Sequence, residues 1–119
     1  MVSEYDVRRI ALELPETSEK PSPLGSPSFR VKDKVFARIR EDGDVLIAWC
    51  KDSNERRALV EAGPEKYFTT PHYDRQPHVL VRYKRLSQEE LTDILRRSWR
   101  HRAPKKLLES VDMKPGTTS

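Results

Sequence analysis

The feature that most constrains the fold is a series of three short strand-forming segments separated by only two to five residues. These segments are residues 28–31, 34–39 and 45–50. The first connection is the pair Lys32-Asp33, and the second contains Gly43, which can adopt a positive φ angle without a steric penalty. Because connections this short cannot carry a crossover, neighbouring strands must pair antiparallel. The sequence therefore predicts an antiparallel sheet built from hairpins.

Two amphipathic helices are predicted on either side of these strands. Ser3 can cap the first helix by accepting a hydrogen bond from a backbone N–H of the first turn, and Pro15 ends its apolar stripe. The second helix covers residues 54–62, with Asp52 or Ser53 as its cap. Its inward-facing side chains are predicted to be Ala58, Leu59 and Ala62, and its water-facing ones Glu55, Arg56, Arg57 and Glu61.

Proline-rich segments separate these elements and are predicted as loops. Residues 15–27 alternate proline with serine and glycine, and this composition disfavours both helix and central strand. A second loop covers residues 69–77 and precedes a strand at 78–83. Residues 65–68 indicate either a short helical turn or the entry into a strand.

The last long helix has the clearest boundaries in the chain. Ser87 and Glu90 have the spacing of a capping box, and Pro104 interrupts the pattern at the other end. The apolar stripe consists of Leu91, Ile94, Leu95, Ser98 and Trp99. Residues 105–111 can form a short final turn. The order of elements predicts an α+β fold in two layers, an antiparallel sheet with helices packed on one face.

Short segments spread over nearly the whole chain match a known pattern in order and spacing. They are residues 28–39, Asp42-Gly43-Asp44-Val45-Leu46, Arg57 with Leu59, Thr70-Pro71-His72-Tyr73, Val79-Leu80-Val81-Arg82, Glu90-Leu91, Ser98-Trp99 and residues 103–107. In this order they resemble the MmcQ/YjbR family of small bacterial proteins. The resemblance implies a frataxin-like (CyaY-like) fold and DNA binding through a double-wing motif. One departure is His78, because the family often has an aromatic residue at that position.

The excess of positive charge lies in one segment near the C-terminus. Residues 82–106 contain nine Lys/Arg and three Asp/Glu, a local charge of +6, whereas the remaining residues contain 14 basic and 16 acidic groups, a charge of −2. This asymmetry favours DNA or another polyanion as the partner. The predicted nucleic-acid-binding residues are Arg82, Arg96, Arg97, Arg100, Arg102, Lys105 and Lys106. The competing interpretation is a solvated helix face with cations near its negative end.

The sheet offers a second candidate surface, which a protein partner of unknown identity could use instead. Strand alternation groups Arg30, Arg38, Arg82 and His78 on one face, together with Trp49 if that ring is not in the core. Cations beside rings are typical of platforms for single-stranded nucleic acid. The predicted surface contacts are Arg38, Trp49, His72, Tyr73 and His78. The competing interpretation places Trp49 in the core with arginine side chains extended around it.

The sequence lacks the motifs of known catalytic and metal sites. His72 and His78 are six residues apart without the spacing of a zinc site, and Cys50 is the single cysteine. We therefore expect a non-enzymatic binding module with no cofactor and no metal.

Length and composition predict a single domain over residues 1–113 and a flexible tail at 114–119. No apolar run is long enough to cross a membrane, and the N-terminus lacks signal-peptide character. We expect a cytoplasmic protein without membrane contact.

Overall fold

Six strands form one antiparallel sheet in the computed structural model of the chain, which describes residues 2–23, 25–71 and 77–112. The strands are β1 (Thr17–Pro21), β2 (Pro27–Val31), β3 (Lys34–Ile39), β4 (Leu46–Trp49), β5 (Tyr67–Phe68) and β6 (His78–Val81). Their order across the sheet is β1-β2-β3-β4-β6-β5. The predicted hairpins are confirmed, and the first turn places both Lys32 and Asp33 at positive φ.

The helices begin where the sequence predicts them. They are α1 (Glu4–Glu13), α2 (Ser53–Ala62), α3 (Gln88–Arg102) and α4 (Lys105–Asp112), and a turn of 3₁₀ helix spans Tyr83–Arg85. Ser3 and Ser87 both form complete capping boxes, and the side chain of Asp52 caps α2. These caps satisfy N–H groups that have no partner inside the helix.

The main core lies between the helices and one face of the sheet. All five residues of the predicted α3 stripe, from Leu91 to Trp99, are buried there. They meet strand side chains that include Phe29, Leu46 and Val81. Trp99 also donates its indole N–H to the carbonyl of Pro15 at 2.9 Å. The prediction of two layers with the helices on one face is confirmed.

The prediction of an unbroken loop at residues 15–27 is wrong, because part of that segment forms β1. The strand pairs with β2 along its length, from Thr17 opposite Val31 to Pro21 opposite Pro27. Four of its five residues are exposed, so it lacks the apolar alternation by which strands are recognised. Proline is tolerated here because β1 is an edge strand.

Two details of packing also differ from prediction. In α2, Ala58 and Ala62 are exposed, and the helix has no fully buried residue because it lies at the margin of the sheet beside β5. In β3, a register shift against β2 brings Phe36 into the core together with Ala37, although strict alternation along the strand would place it on the face of Arg38. A bulge of this kind re-aims a side chain that the period of two would place on the other face.

The strand predicted at 78–83 is shorter than expected. β6 ends at Val81, and the chain then enters the 3₁₀ turn, where the hydroxyl of Tyr83 donates to the carbonyl of Gly43. Beyond Pro104, the predicted short turn is the two-turn helix α4. The tail predicted at 114–119 lies outside the described residues.

Candidate functional site

The face of the sheet opposite the helices, here called the outer face, has its own small apolar cluster. Val45, Ile47 and Leu80 are buried in it, and Trp49 and Phe68 pack against them half-buried. No residue of the described helices belongs to this cluster. Arg38 lies beside Ile47 in the register of β3 and β4 and therefore shares this face.

β3 and β4 stop pairing near Trp49, and α3 supplies hydrogen-bond donors at that point. The last paired residues at this end are Ala37 and Ala48. Beyond them, the buried Ser98 hydroxyl donates to the carbonyl of Trp49 at 2.8 Å, and Arg102 Nε donates to the carbonyl of Val35 at 3.0 Å. Two side chains of one helix thus replace sheet hydrogen bonds that the backbone does not form here.

The Arg102 side chain brings a positive charge from the helix layer to the Trp49 ring. Its Cζ lies 5.4 Å from the centre of that ring. The imidazole of His78 contacts the same indole, with 4.0 Å between ring centres. Burial, together with the nearby charges of Arg38, Arg102 and Arg56, lowers the pKa of His78 to about 4. His78 is therefore neutral near pH 7 and adds ring surface without adding charge.

Trp49, Arg38 and Arg102 border an open cleft of about 560 Å³, here called the basic cleft. Its lining residues are Ser22, Pro23, Ser28, Arg30, Asp33, Lys34, Val35, Arg38, Glu41, Trp49 and Arg102. Four of them are cationic and two are acidic, a formal charge of +2 (4 − 2). Arg38 and Glu41 form an ion pair at 3.1 Å. The pKa of the Glu41 carboxyl is lowered by a hydrogen bond from its own backbone N–H and by Arg38, which keeps this acid ionised.

The other cations of the cleft differ from Arg38 in their contacts. Within the described residues, Arg30, Lys34 and Arg102 form no ion pair, and Arg30 contacts the backbone carbonyl of Asp33 at 3.5 Å. The buried Nε of Arg30 has no hydrogen-bond partner in the same part of the chain. In contrast, Arg8 of α1 is bound by two carboxylates, with 2.7 Å between its Nε and Glu19. Among the described residues, the lining of the cleft thus keeps an excess of positive charge.

The structure divides the residues predicted to bind nucleic acid between two surfaces. Arg102 lies at the basic cleft, and Arg82 lies further along the outer face, with its guanidinium 4.1 Å from the centre of the Phe68 ring. The others are exposed on the helix layer: Arg96, Arg97, Arg100, Lys105 and Lys106. Acidic residues interrupt this second group, since Asp93 pairs with Arg97 at 3.0 Å.

The predicted surface contacts Arg38, Trp49 and His78 lie close together around the cleft. Trp49 is half-buried, and it packs against the apolar cluster of the outer face with Arg102 over its ring. His72 and Tyr73 lie outside the described residues. Sequence reasoning missed Lys34 and the hydroxyl of Ser98. Lys34 could have been predicted from the sequence, because it begins the strand that carries Arg38. The hydrogen bond of Ser98 could not, because its partner depends on how α3 packs against the sheet.

Other kinds of site have less support in the described part of the chain. No group of three or more His, Cys, Asp or Glu side chains there could hold a metal ion. None of the described helices is long and apolar enough to cross a membrane. Burial raises the pKa of the Cys50 thiol to about 12, so this cysteine carries no thiolate near pH 7.

Comparison with known proteins places the chain in a family. The YjbR family model matches residues 12–101. Two relatives are 35% identical over 122 residues, 88% of this chain and 92% of theirs: the uncharacterised proteins Rv2570 of Mycobacterium tuberculosis and Mb2600 of Mycobacterium bovis. The crystal structure of Deinococcus radiodurans DR2400, a DUF419 domain, superposes with a TM-score of 0.72 at 22% identity and covers 96% of this chain and 91% of that one. That likeness concerns the fold, whereas the family match and the relatives identify this chain as a member of the YjbR family.

Proposed function

We propose that this protein is a non-enzymatic module that binds nucleic acid through the basic cleft. The observation that carries the proposal is the grouping of Arg30, Lys34, Arg38 and Arg102 around the half-buried Trp49 ring. Cations at this density neutralise phosphates and release counterions, and guanidinium groups can hold a phosphate through two hydrogen bonds. An aromatic ring beside them offers a contact for bases.

The cations of the helix layer form a second, auxiliary surface in this proposal. Arg96 and Arg100 are exposed on α3, and Lys105 and Lys106 begin α4. Two features make them weaker candidates than the cleft: the Asp93–Arg97 ion pair reduces the local charge, and no ring lines the small hollow beside Arg96.

The alternative function is protein interaction through the outer face. The apolar residues Ile47 and Leu80 are fully buried in their own cluster, so they offer little contact area to a protein partner. A protein bound at the basic cleft would need an acidic segment to match the cleft's charge. Polyglutamate is therefore the probe that separates this alternative from nucleic acid.

Salt-titrated binding tests the proposal. Fluorescence anisotropy would measure the affinity of labelled single-stranded and duplex oligonucleotides for the wild type and for an Arg30→Glu/Lys34→Glu variant. The variant should lose about tenfold or more in affinity. The slope of log affinity against log salt should fall by about 0.7 to 0.9 for each phosphate contact removed.

A matched control reverses two charges elsewhere. Lys51→Glu/Arg57→Glu changes the net charge equally, at exposed residues before and within α2. It should retain most of the affinity, because long-range attraction alone is screened by salt. Equal losses in both double variants, or no binding by the wild type even at low salt, would contradict the proposal. A third variant, Arg96→Glu/Arg100→Glu, measures the contribution of the helix layer.

A further inference from the structure

We infer, on the basis of the proposed function, that the basic cleft selects single-stranded over duplex nucleic acid by binding one unpaired base beside Trp49 and Arg102. The base would lie against these two side chains, and the neighbouring phosphates would contact Arg30 and Arg38. This assigns a ligand class and distinct roles to individual residues of the cleft.

The form of the cleft favours an unpaired base. Its volume of about 560 Å³ lies within the range of roughly 300 to 1,000 Å³ that is typical of pockets for small molecules. The Trp49 ring contributes to the lining of this recess. Bases of a duplex are stacked and paired inside the helix, so their faces cannot reach such a ring, whereas an unpaired base can turn outward.

The contact surface is held in place before any ligand binds. Arg102 is oriented by the hydrogen bond from its Nε to the Val35 carbonyl, and its guanidinium lies over the indole. His78 contacts the ring, and Ser98 holds the carbonyl of Trp49. Both a guanidinium plane and an indole stack on bases, and a surface fixed in advance loses little entropy on binding.

The charges of the cleft lie on neighbouring strands of the sheet. Arg30 lies on β2 and Arg38 on the neighbouring strand β3, and both line the same recess as Trp49. β2 and β3 lie on the same side of β4 in the sheet, so these two cations suit a nucleic-acid strand whose backbone passes along the cleft while a base contacts Trp49. Binding is expected to be independent of nucleotide sequence, since every base can stack on an aromatic ring.

The test compares three oligonucleotides of equal length with the full chain: oligothymidine, the same strand annealed to its complement, and an abasic strand with the same number of phosphates. The wild type should bind oligothymidine about tenfold or more tightly than the duplex or the abasic strand. Trp49→Leu should remove most of this preference, because it weakens the binding of oligothymidine far more than the binding of the duplex or the abasic strand. Trp49→Phe keeps an aromatic ring and should restore most of it.

Arg102→Lys provides an independent variant that keeps the charge and loses the guanidinium plane. It should reduce the preference for the single strand and leave the salt slope unchanged. Urea midpoints show whether each variant is folded. If Trp49→Leu does not fold, Arg102→Lys is the deciding variant. Equal wild-type affinity for all three oligonucleotides, or tighter binding of the duplex, would overturn this inference without contradicting the proposed function. Binding of polyglutamate but of no oligonucleotide would overturn both.

Discussion

Replacing Ser98 with alanine removes a hydroxyl that joins α3 to the end of β4. Ser98 is fully buried, and its Oγ donates to the Trp49 carbonyl at 2.8 Å, just beyond the last residues that pair β3 with β4. Alanine leaves this carbonyl without that donor. It also leaves the backbone of Trp49 less firmly held against the helix.

The expected cost follows from the burial of the bond. Losing a hydrogen bond and leaving its buried partner without a donor costs about 1 to 3 kcal/mol. Alanine is the better helix former by about 0.5 kcal/mol, which offsets part of this loss. The net destabilisation should be about 1 to 2 kcal/mol. For an m value of about 1.5 kcal/mol/M, the urea midpoint should fall by about 1 M.

Thr92→Ala is the matched control on the same helix. The Thr92 hydroxyl donates to the carbonyl of Gln88 within α3, so its removal breaks no contact between elements. That variant should stay within about 0.5 kcal/mol of the wild type. Urea unfolding followed by circular dichroism measures both. If Ser98→Ala is no less stable than Thr92→Ala, the hydroxyl does not hold β4 to α3 and this reasoning fails.

Three further perturbations follow from the same geometry. Arg102→Lys loses the Nε bond to the Val35 carbonyl and the contact with Trp49, so urea unfolding should show a loss of about 1 kcal/mol, against no measurable change for the exposed control Arg96→Lys. The pKa of His78 is about 4 in the folded protein and 6.5 in the unfolded chain, so between pH 6.5 and pH 4 the unfolded chain binds more protons than the folded one. The free energy of unfolding should therefore fall by roughly 1 to 2 kcal/mol as the pH drops from about 6.5 to about 4, a value already reduced for the partial solvent exposure of the ring. A His78→Gln variant with the same pH dependence as the wild type would refute this assignment. Cys50 is buried and its thiol has a pKa of about 12, so it should react with a thiol reagent only in denaturing urea. Fast labelling of the native protein would contradict this, because it would show that the thiol is accessible in the folded state.

The parts of the fold that were predictable depend on local patterns. The capping box and stripe of α3 lie within one segment, and every stripe residue from Leu91 to Trp99 is buried as expected. The hairpin at Lys32-Asp33 is equally local. β1 was not predictable, because its hydrogen bonds come from β2 and its exposed side chains show no alternation. The burial of Phe36 was not predictable for a related reason, since a period of two does not reveal a bulge.

The strand residues of the candidate site were predictable from local patterns, but the contribution of α3 was not. Alternation along the strands grouped Arg30, Arg38 and His78 on one face, and the structure places them around Trp49. Arg102 was grouped with other cations near the C-terminus such as Arg100, because its place in the sequence does not reveal that it reaches the point where β3 and β4 stop pairing. Its hydrogen bond to Val35 spans 67 positions of sequence, and contacts at that separation depend on tertiary packing.

Chemical-shift mapping by NMR would locate the nucleic-acid-binding surface residue by residue. Oligothymidine would be titrated into the isotope-labelled protein at low salt, with the two indole N–H signals of Trp49 and Trp99 assigned by substitution. We predict that the largest shifts fall on Arg30, Lys34, Arg38 and the Trp49 indole, whereas the buried Trp99 indole changes little. Shifts confined to α2 or to the exposed face of α3, or no shifts at all, would contradict the assignment of the basic cleft as a nucleic-acid-binding site.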